Sequence, residues 1–184
     1  VLFCEINEDT GRATVTELQA KYGDKVVFKL CDVSDSKQLT EAFQAAVSAF
    51  GAVDICVNNA AISNESKWDT MIAVNQTAQI RGSLLAYEHM RRDKGGRGGV
   101  IINVASMCEG RPHFYEIEKA PAVLHRYPRL KTSEVAEAFI AQLQDETNNG
   151  TVMKVGKEEG KPYYQLVVVD TSTRPYDRMI YKEK

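Results

Sequence analysis

Apolar runs and helically spaced apolar stripes alternate along the first hundred residues. Val1-Leu2-Phe3-Cys4 is a continuous apolar run closed by Glu5, the pattern of a strand buried on both faces of a parallel sheet. Ala13, Val15, Leu18 and Tyr22 fall near helical spacing and predict a helix from about Asp9 to Tyr22, with Gly23-Asp24 as its stop. Val26 to Cys31 returns to strand. Ser34 or Ser36 then caps a helix carrying Leu39, Phe43, Ala46, Val47 and Phe50, and Gly51 ends it. Val53 to Val57 predicts a third strand, Glu65 to about Arg92 one long helix, and Val100 to Ala105 a fourth strand entered through Gly95-Gly96-Arg97-Gly98-Gly99. Because the strands are apolar throughout rather than two-faced, the expected fold class is α/β, a doubly wound parallel sheet with helices on both faces.

Beyond Ser106 the pattern turns irregular, with Pro112, Pro121 and Pro128 scattered through a stretch that reads as loop. Regularity resumes at Thr132, where Val135, Ala138, Phe139 and Leu143 make one helical face up to the turn Asn148-Asn149-Gly150. Thr151 to Val155 and Tyr163 to Val169 read as strands. The expected organisation is one domain over residues 1–170 and a mobile charged tail over 171–184.

Composition narrows the class. A chain of 184 residues is long enough for one domain with a sizeable core and short for two. Net charge is -2 and no basic run exceeds Arg91-Arg92, so neither a nucleic-acid footprint nor a polybasic membrane anchor is expected. No apolar run approaches the roughly 18 residues of a membrane span, and a cytoplasmic protein acting on small molecules is the simplest reading. Cys4, Cys31, Cys56 and Cys108 lack Cys-x-x-Cys spacing and read as buried thiols, so no metal site is expected.

In such a sheet, binding chemistry concentrates beyond the carboxyl ends of the strands. Glu5, Asp32, Asn58-Asn59 and Ser106 all stand at such ends. Glu5 can accept hydrogen bonds from ribose hydroxyls and would repel a 2′-phosphate, or it is an ordinary solvated carboxylate.

Cys31-Asp32-Val33, Val57-Asn58-Asn59-Ala60-Ala61, Val74-Asn75 and Ile102-Asn103-Val104-Ala105-Ser106, in this order, resemble the motifs of the short-chain dehydrogenase/reductase family. Any one of them is weak; four in family order at consistent spacing are strong. The resemblance implies a Rossmann-like sheet and NAD-dependent oxidation of a secondary alcohol, a hydroxylated fatty-acid derivative being one candidate, with an alcohol or ketone as the small-molecule partner and a homodimer as the assembly. It places Glu5 and Ile6 at the adenosine ribose, Asp32 and Val33 at the adenine edge, and Asn59 and Ala60 in the cofactor cleft. It also gives Asn75 a backbone carbonyl in the proton relay and makes Ser106 the group that orients the substrate oxygen.

The family's chemistry needs a tyrosine as general base and a lysine one helical turn on, whose charge lowers the phenol pKa from about 10. Tyr115-Glu116-Ile117-Glu118-Lys119 has that spacing. Tyr115, however, lies only nine residues after Ser106, closer than the family's arrangement, and the two glutamates oppose formation of a phenolate. Two readings stay open: a working Tyr115 and Lys119 couple, or a loop tyrosine and a surface lysine beside a catalytic block lost near Met107-Cys108-Glu109-Gly110, with residues 111–130 as remnants of a substrate-covering loop.

The family's first strand and its glycine-rich phosphate turn would precede Val1, and no such turn occurs in this sequence. Because the chain starts inside a core strand and without methionine, a fragment or incomplete gene model is expected. Three charge-assisted hydrogen bonds to a pyrophosphate, at roughly 1.5 to 3 kcal/mol each, amount to about 5 to 9 kcal/mol, so cofactor affinity is expected to be weaker by on the order of a thousandfold to a millionfold. The sheet is expected to be incomplete, and the alternative function is a catalytically inactive, truncated or splice-variant dehydrogenase-like protein acting through association.

Overall fold

A computed structural model describes residues 1–105, 130–145, 151–158, 161–169 and 179–183. The chain divides into two compact units, Val1–Ala105 and Ser106–Lys184, where the sequence suggests one domain over 1–170.

The first unit alternates strand and helix as expected. Strand β1 (Leu2–Glu5) leads into α1 (Glu8–Tyr22), whose N-terminus is closed by the Asn7 side chain accepting from the Thr10 N–H at 2.9 Å. Gly11 faces Phe28, where a Cβ would stand 2.2 Å from the ring, so α1 seats close on the sheet at this point. Phe28 lies on β2 (Val27–Leu30) opposite Phe3, with ring centroids 5.5 Å apart. Helix α2 (Ser36–Phe50) is capped by Asp35, which accepts from the N–H groups of Lys37 and Gln38 at 2.8 and 3.1 Å. This corrects the serine cap: the carboxylate is the stronger acceptor for orphan N–H groups and suits the positive end of the helix. Gly51, with φ 80, ends α2 as expected.

Strand β3 (Ile55–Asn58) and β4 (Val100–Asn103) enclose the long helical run. That run is not one regular helix. It consists of a 3-10 turn at Glu65–Lys67, α3 (Trp68–Ile72), a π-helical stretch at Ala73–Thr77 and α4 (Ala78–Met90).

All pairing in this unit is parallel, β1 with β2 and β3 with β4, as the α/β reading requires. The two pairs form separate two-stranded sheets, with no ladder between β1 and β3. Val27 N donates to Val1 O and Cys31 N to Glu5 O, so the odd-numbered residues of β1 turn their backbone groups toward β2, and Leu2 and Cys4 turn theirs away. By the same parity Cys56 and Asn58 face β4, since Val100 N donates to Asp54 O and Val104 N to Asn58 O, and Ile55 and Val57 face away. Each two-stranded sheet therefore keeps the outer edges of both its strands without a strand partner among the described residues.

The second unit carries α5 (Thr132–Gln144), where the Glu134 carboxylate reaches back to the Lys131 N–H at 2.6 Å. It continues in an antiparallel sheet of β5 (Thr151–Glu158), β6 (Lys161–Val169) and β7 (Met179–Glu183). Within the tail expected over 171–184, Met179–Glu183 forms strand β7: Met179, Ile180 and Tyr181 have enough strand preference to pair with Val169, Val168 and Val167 despite the charges of Lys182 and Glu183. The turn expected at Asn148-Asn149-Gly150 lies outside the described residues.

Candidate functional site at the strand ends

Parallel pairing puts Glu5 and Asp32 at one end of the first sheet, and Asn58-Asn59 and Val104-Ala105 at the corresponding end of the second. Three connections at these ends are tied to the helical run between β3 and β4. The Asn75 side chain, in the π-helical stretch, makes a two-way amide pair with the Ile62 backbone, both bonds at 2.8 Å. One turn on, Gln79 Nε2 donates to Val104 O at 2.9 Å, and Arg81 Nη1 donates to Ser34 O at 3.1 Å. The connections leaving β2, β3 and β4 are thus held by three side chains within seven residues of one another.

Beneath this end lies a polar hub facing α4. Asn58 Nδ2 approaches Asn103 Oδ1 at 2.8 Å, Ser83 Oγ at 3.1 Å and Gln79 O at 3.3 Å, while the Ser83 hydroxyl donates to Asn103 Oδ1 at 3.1 Å. Gly82 makes room for it, since a Cβ there would stand 2.2 Å from Asn58 Oδ1.

Glu5 Oε1 accepts from the Asn7 N–H at 2.9 Å, its second oxygen has no partner among the described residues, and Ile6 beside it is exposed. Asp32 is half-buried; its Oδ1 accepts from the Ser34 N–H and hydroxyl at 2.9 and 2.7 Å, and its own N–H donates to Gln38 Oε1 at 2.9 Å. Val33 is half-buried next to it, and Asn59 and Ala60 are exposed at the end of β3. Ser106, Tyr115 and Lys119 lie outside the described residues, as do Cys108 and the stretch read as a lost catalytic block. Gln79, Arg81 and Ser83 are additions to the expected site residues, and Asn103, quoted within a motif, gains a role as partner of Asn58 and Ser83.

Three cysteines sit in this unit, and burial is the first cause raising the thiol of each. Cys4 is reachable by solvent along the unpaired edge of β1 but crowded by protein otherwise, and burial, then proximity to Cys31 and Cys56, pushes it up to about 12. These are protonated, weakly nucleophilic thiols. The described residues hold no cluster of three or more potential metal ligands, and none of their helices is long and apolar enough to cross a membrane. Two hollows of about 510 and 530 Å³ lie near His89, the first between Ala52-Val53-Asp54 and Arg97-Gly98 at the amino ends of β3 and β4; neither touches Glu5, Asp32, Asn59 or Asn75.

A dinucleotide fits this end in part. Carboxylates and open backbone at the ends of β1 and β2 suit an adenosine. For the pyrophosphate the described residues offer no cradle, because α1 opens with Glu8 and Asp9 and the α2 N-terminus is occupied by Asp35.

The model of the short chain dehydrogenase family matches residues 1–116. The chain belongs to that family. Among curated short-chain dehydrogenases it is 37% identical over 109 residues to 15-hydroxyprostaglandin dehydrogenase (NAD(+)) of Rattus norvegicus, a match covering 59% of this chain and 41% of that protein. The Homo sapiens protein of the same name is 41% identical over 84 residues, covering 46% and 32%. Among solved structures, a double mutant of a Serratia marcescens short-chain dehydrogenase/reductase superposes with a TM-score of 0.53 at 28% identity, covering 69% of this chain and 55% of that one. The matched segment therefore spans less than half the length of either curated relative.

Proposed function

We propose that this chain carries the cofactor half of an NAD-dependent alcohol dehydrogenase resembling 15-hydroxyprostaglandin dehydrogenase. The observation that supports it is the fastening of the β2, β3 and β4 connections to one helical run through Arg81, Asn75 and Gln79, which gathers the strand ends carrying Asp32, Asn59 and Val104. In this reading the free oxygen of Glu5 accepts from ribose hydroxyls, with Ile6 alongside. Asp32 and Val33 meet the adenine edge, and Asn59 and Ala60 line the cleft.

When bound, NAD would supply the hydride acceptor for oxidation of a secondary alcohol. The protein's part is to hold that alcohol's oxygen at Ser106 and to take the hydroxyl proton on the Tyr115 phenolate oxygen, with Lys119 as the neighbouring charge and Asn75 in the proton path. The protein is read as cytoplasmic.

The test is a fluorescence titration with NADH and NADPH. Saturable enhancement by NADH, at least tenfold tighter than by NADPH and losing that preference in Glu5→Ala, supports the reading; a flat response to both up to millimolar concentration overturns it.

A second reading, association without catalysis, is favoured by one observation. Ile80, Leu84 and Tyr87 form an exposed apolar stripe on α4 at helical spacing, with Trp68 and Ile72 exposed on α3. It fits a homodimer in which two copies cover these stripes. Sedimentation showing a dimer that Leu84→Glu dissolves supports it, and a monomer at all concentrations refutes it.

A further inference from the structure

Arg81 stands in the first turn of α4, half-buried, and enters none of the ion pairs formed among the described residues. Its guanidinium instead donates to the carbonyl of Ser34, a residue 47 positions away in sequence. Placing a half-buried cation on a neutral oxygen forgoes the stronger bond a carboxylate would give. The side chain is therefore committed to holding one turn.

That turn is the connection from β2 to α2, which bears Asp32 and Val33. Its other bonds are local: Ser34 to Asp32 Oδ1, the Asp35 N–H to Asp32 O at 3.1 Å, and the Asp32 N–H to Gln38 Oε1. Local bonds fix the shape of the turn without fixing where it stands relative to the rest of the unit. After Cys31, whose N–H is held by Glu5 O, two hydrogen bonds reach the turn from helices: one with Gln38 at the start of α2, the element the turn itself leads into, and one from Arg81 on the sequence-distant α4. Asp32 Oδ1 is occupied by Ser34, and Oδ2 carries no hydrogen bond among the described residues.

We propose that Arg81 is a positioning residue for purine recognition: by anchoring Ser34 O to α4 it sets where the Asp32 carboxylate and the Val33 backbone stand, and so controls preference for a purine with an exocyclic amine over one with an oxo group. The inference rests on the reading of Asp32 and Val33 as the adenine edge. An amine donates to the open carboxylate oxygen, whereas an oxo group meets it lone pair to lone pair. The side chain of Arg81 does not touch the nucleotide in this account; it acts through the turn.

The experiment titrates the full chain with AMP and with IMP, following backbone amide shifts by NMR. The unsubstituted protein is expected to prefer AMP by about tenfold, the worth of one charge-assisted hydrogen bond. Arg81→Met is expected to bring the ratio within about twofold of unity while the melting temperature and the spectrum of the second unit stay in place, and Arg81→Lys, which keeps a donor, to give an intermediate ratio. A merely structural role would weaken both nucleotides equally and leave the ratio unchanged, and that result overturns the inference. Should Arg81→Met not fold, Arg81→Gln and Arg81→Lys carry the same comparison. If the unsubstituted chain fails to discriminate AMP from IMP, the adenine-edge reading falls and takes this inference with it; if it discriminates and every Arg81 variant does too, that reading stands and only the role of Arg81 is lost.

Discussion

Replacing Asn58 by alanine removes the amide at the centre of the polar hub under the strand ends. The amide nitrogen has two hydrogens for three oxygens in reach, Asn103 Oδ1, Ser83 Oγ and Gln79 O, so two hydrogen bonds are lost at once. At about 1 kcal/mol net each, with the Ser83 and Gln79 acceptors half-buried and the exposed Asn103 Oδ1 still served by the Ser83 hydroxyl, the loss is about 2 kcal/mol. With a urea m-value of about 1 to 3 kcal/mol/M, the midpoint should fall by on the order of 1 M at unchanged slope. Gly82→Ala disturbs the same place from the other side, because its methyl group would stand 2.2 Å from Asn58 Oδ1, and overpacking of this kind costs about 1 to 3 kcal/mol. In the double variant the clash disappears with the amide, so the summed single effects should exceed the double effect by about 1 kcal/mol or more. Urea unfolding followed by circular dichroism checks all three variants. Strict additivity, or an Asn58→Ala effect below about 0.5 kcal/mol, would refute the hub as a coupled unit.

Three further outcomes follow from the first unit. Gly11→Ala should lower the melting temperature, since the added methyl meets the Phe28 ring, and Gly11→Ala combined with Phe28→Leu should lose less than the two separately. Cys4 is raised in the fold above its ordinary value of 9.0 to about 12, so the stability it contributes is fully present below about 9 and is lost as pH rises toward about 12; a Cys4→Ser variant should show a flatter alkaline melting profile than the parent. Asp35 is held below the ordinary carboxylate range, first by the Gln38 N–H and then by that of Lys37, so its contribution is present above that range and lost as pH falls through the lowered value. Asp35→Asn should remove part of the acid-side decline in helix content seen by circular dichroism.

The strands and first two helices of the leading unit are legible because each rests on local chemistry, apolar runs closed by polar residues and a glycine stop at Gly51, whereas the Asn7 and Asp35 caps are not read from it. The same local reading errs where a distant partner decides. Ala73–Thr77 is as compatible with an ordinary helix as the residues around it, and nothing in its side chains announces a π-helical stretch. Asn75 is visible as a motif residue, but its amide pair with the Ile62 backbone is not. Gln79 and Arg81 escape notice for a related reason: each meets a backbone carbonyl, of Val104 and Ser34, and a carbonyl has no residue type for a pattern to register. Strand β7 is hidden by the charges of Lys182 and Glu183, which belong on an edge strand as readily as on a tail. The family, by contrast, is readable from four short motifs, because their order and spacing together are specific where each alone is weak.

The alternation of backbone direction along β1 and β3 makes each strand report on its own pairing. Deuterium should enter quickly at the amides of Leu2, Cys4, Ile55 and Val57, and slowly at those of Phe3, Glu5, Cys56 and Asn58, giving a period-two protection pattern within four-residue strands. Any polypeptide that laid itself along those open edges would erase the alternation at the fast positions alone, so exchange rates at four amides amount to a built-in gauge of whether the two half-sheets stand apart or have been joined.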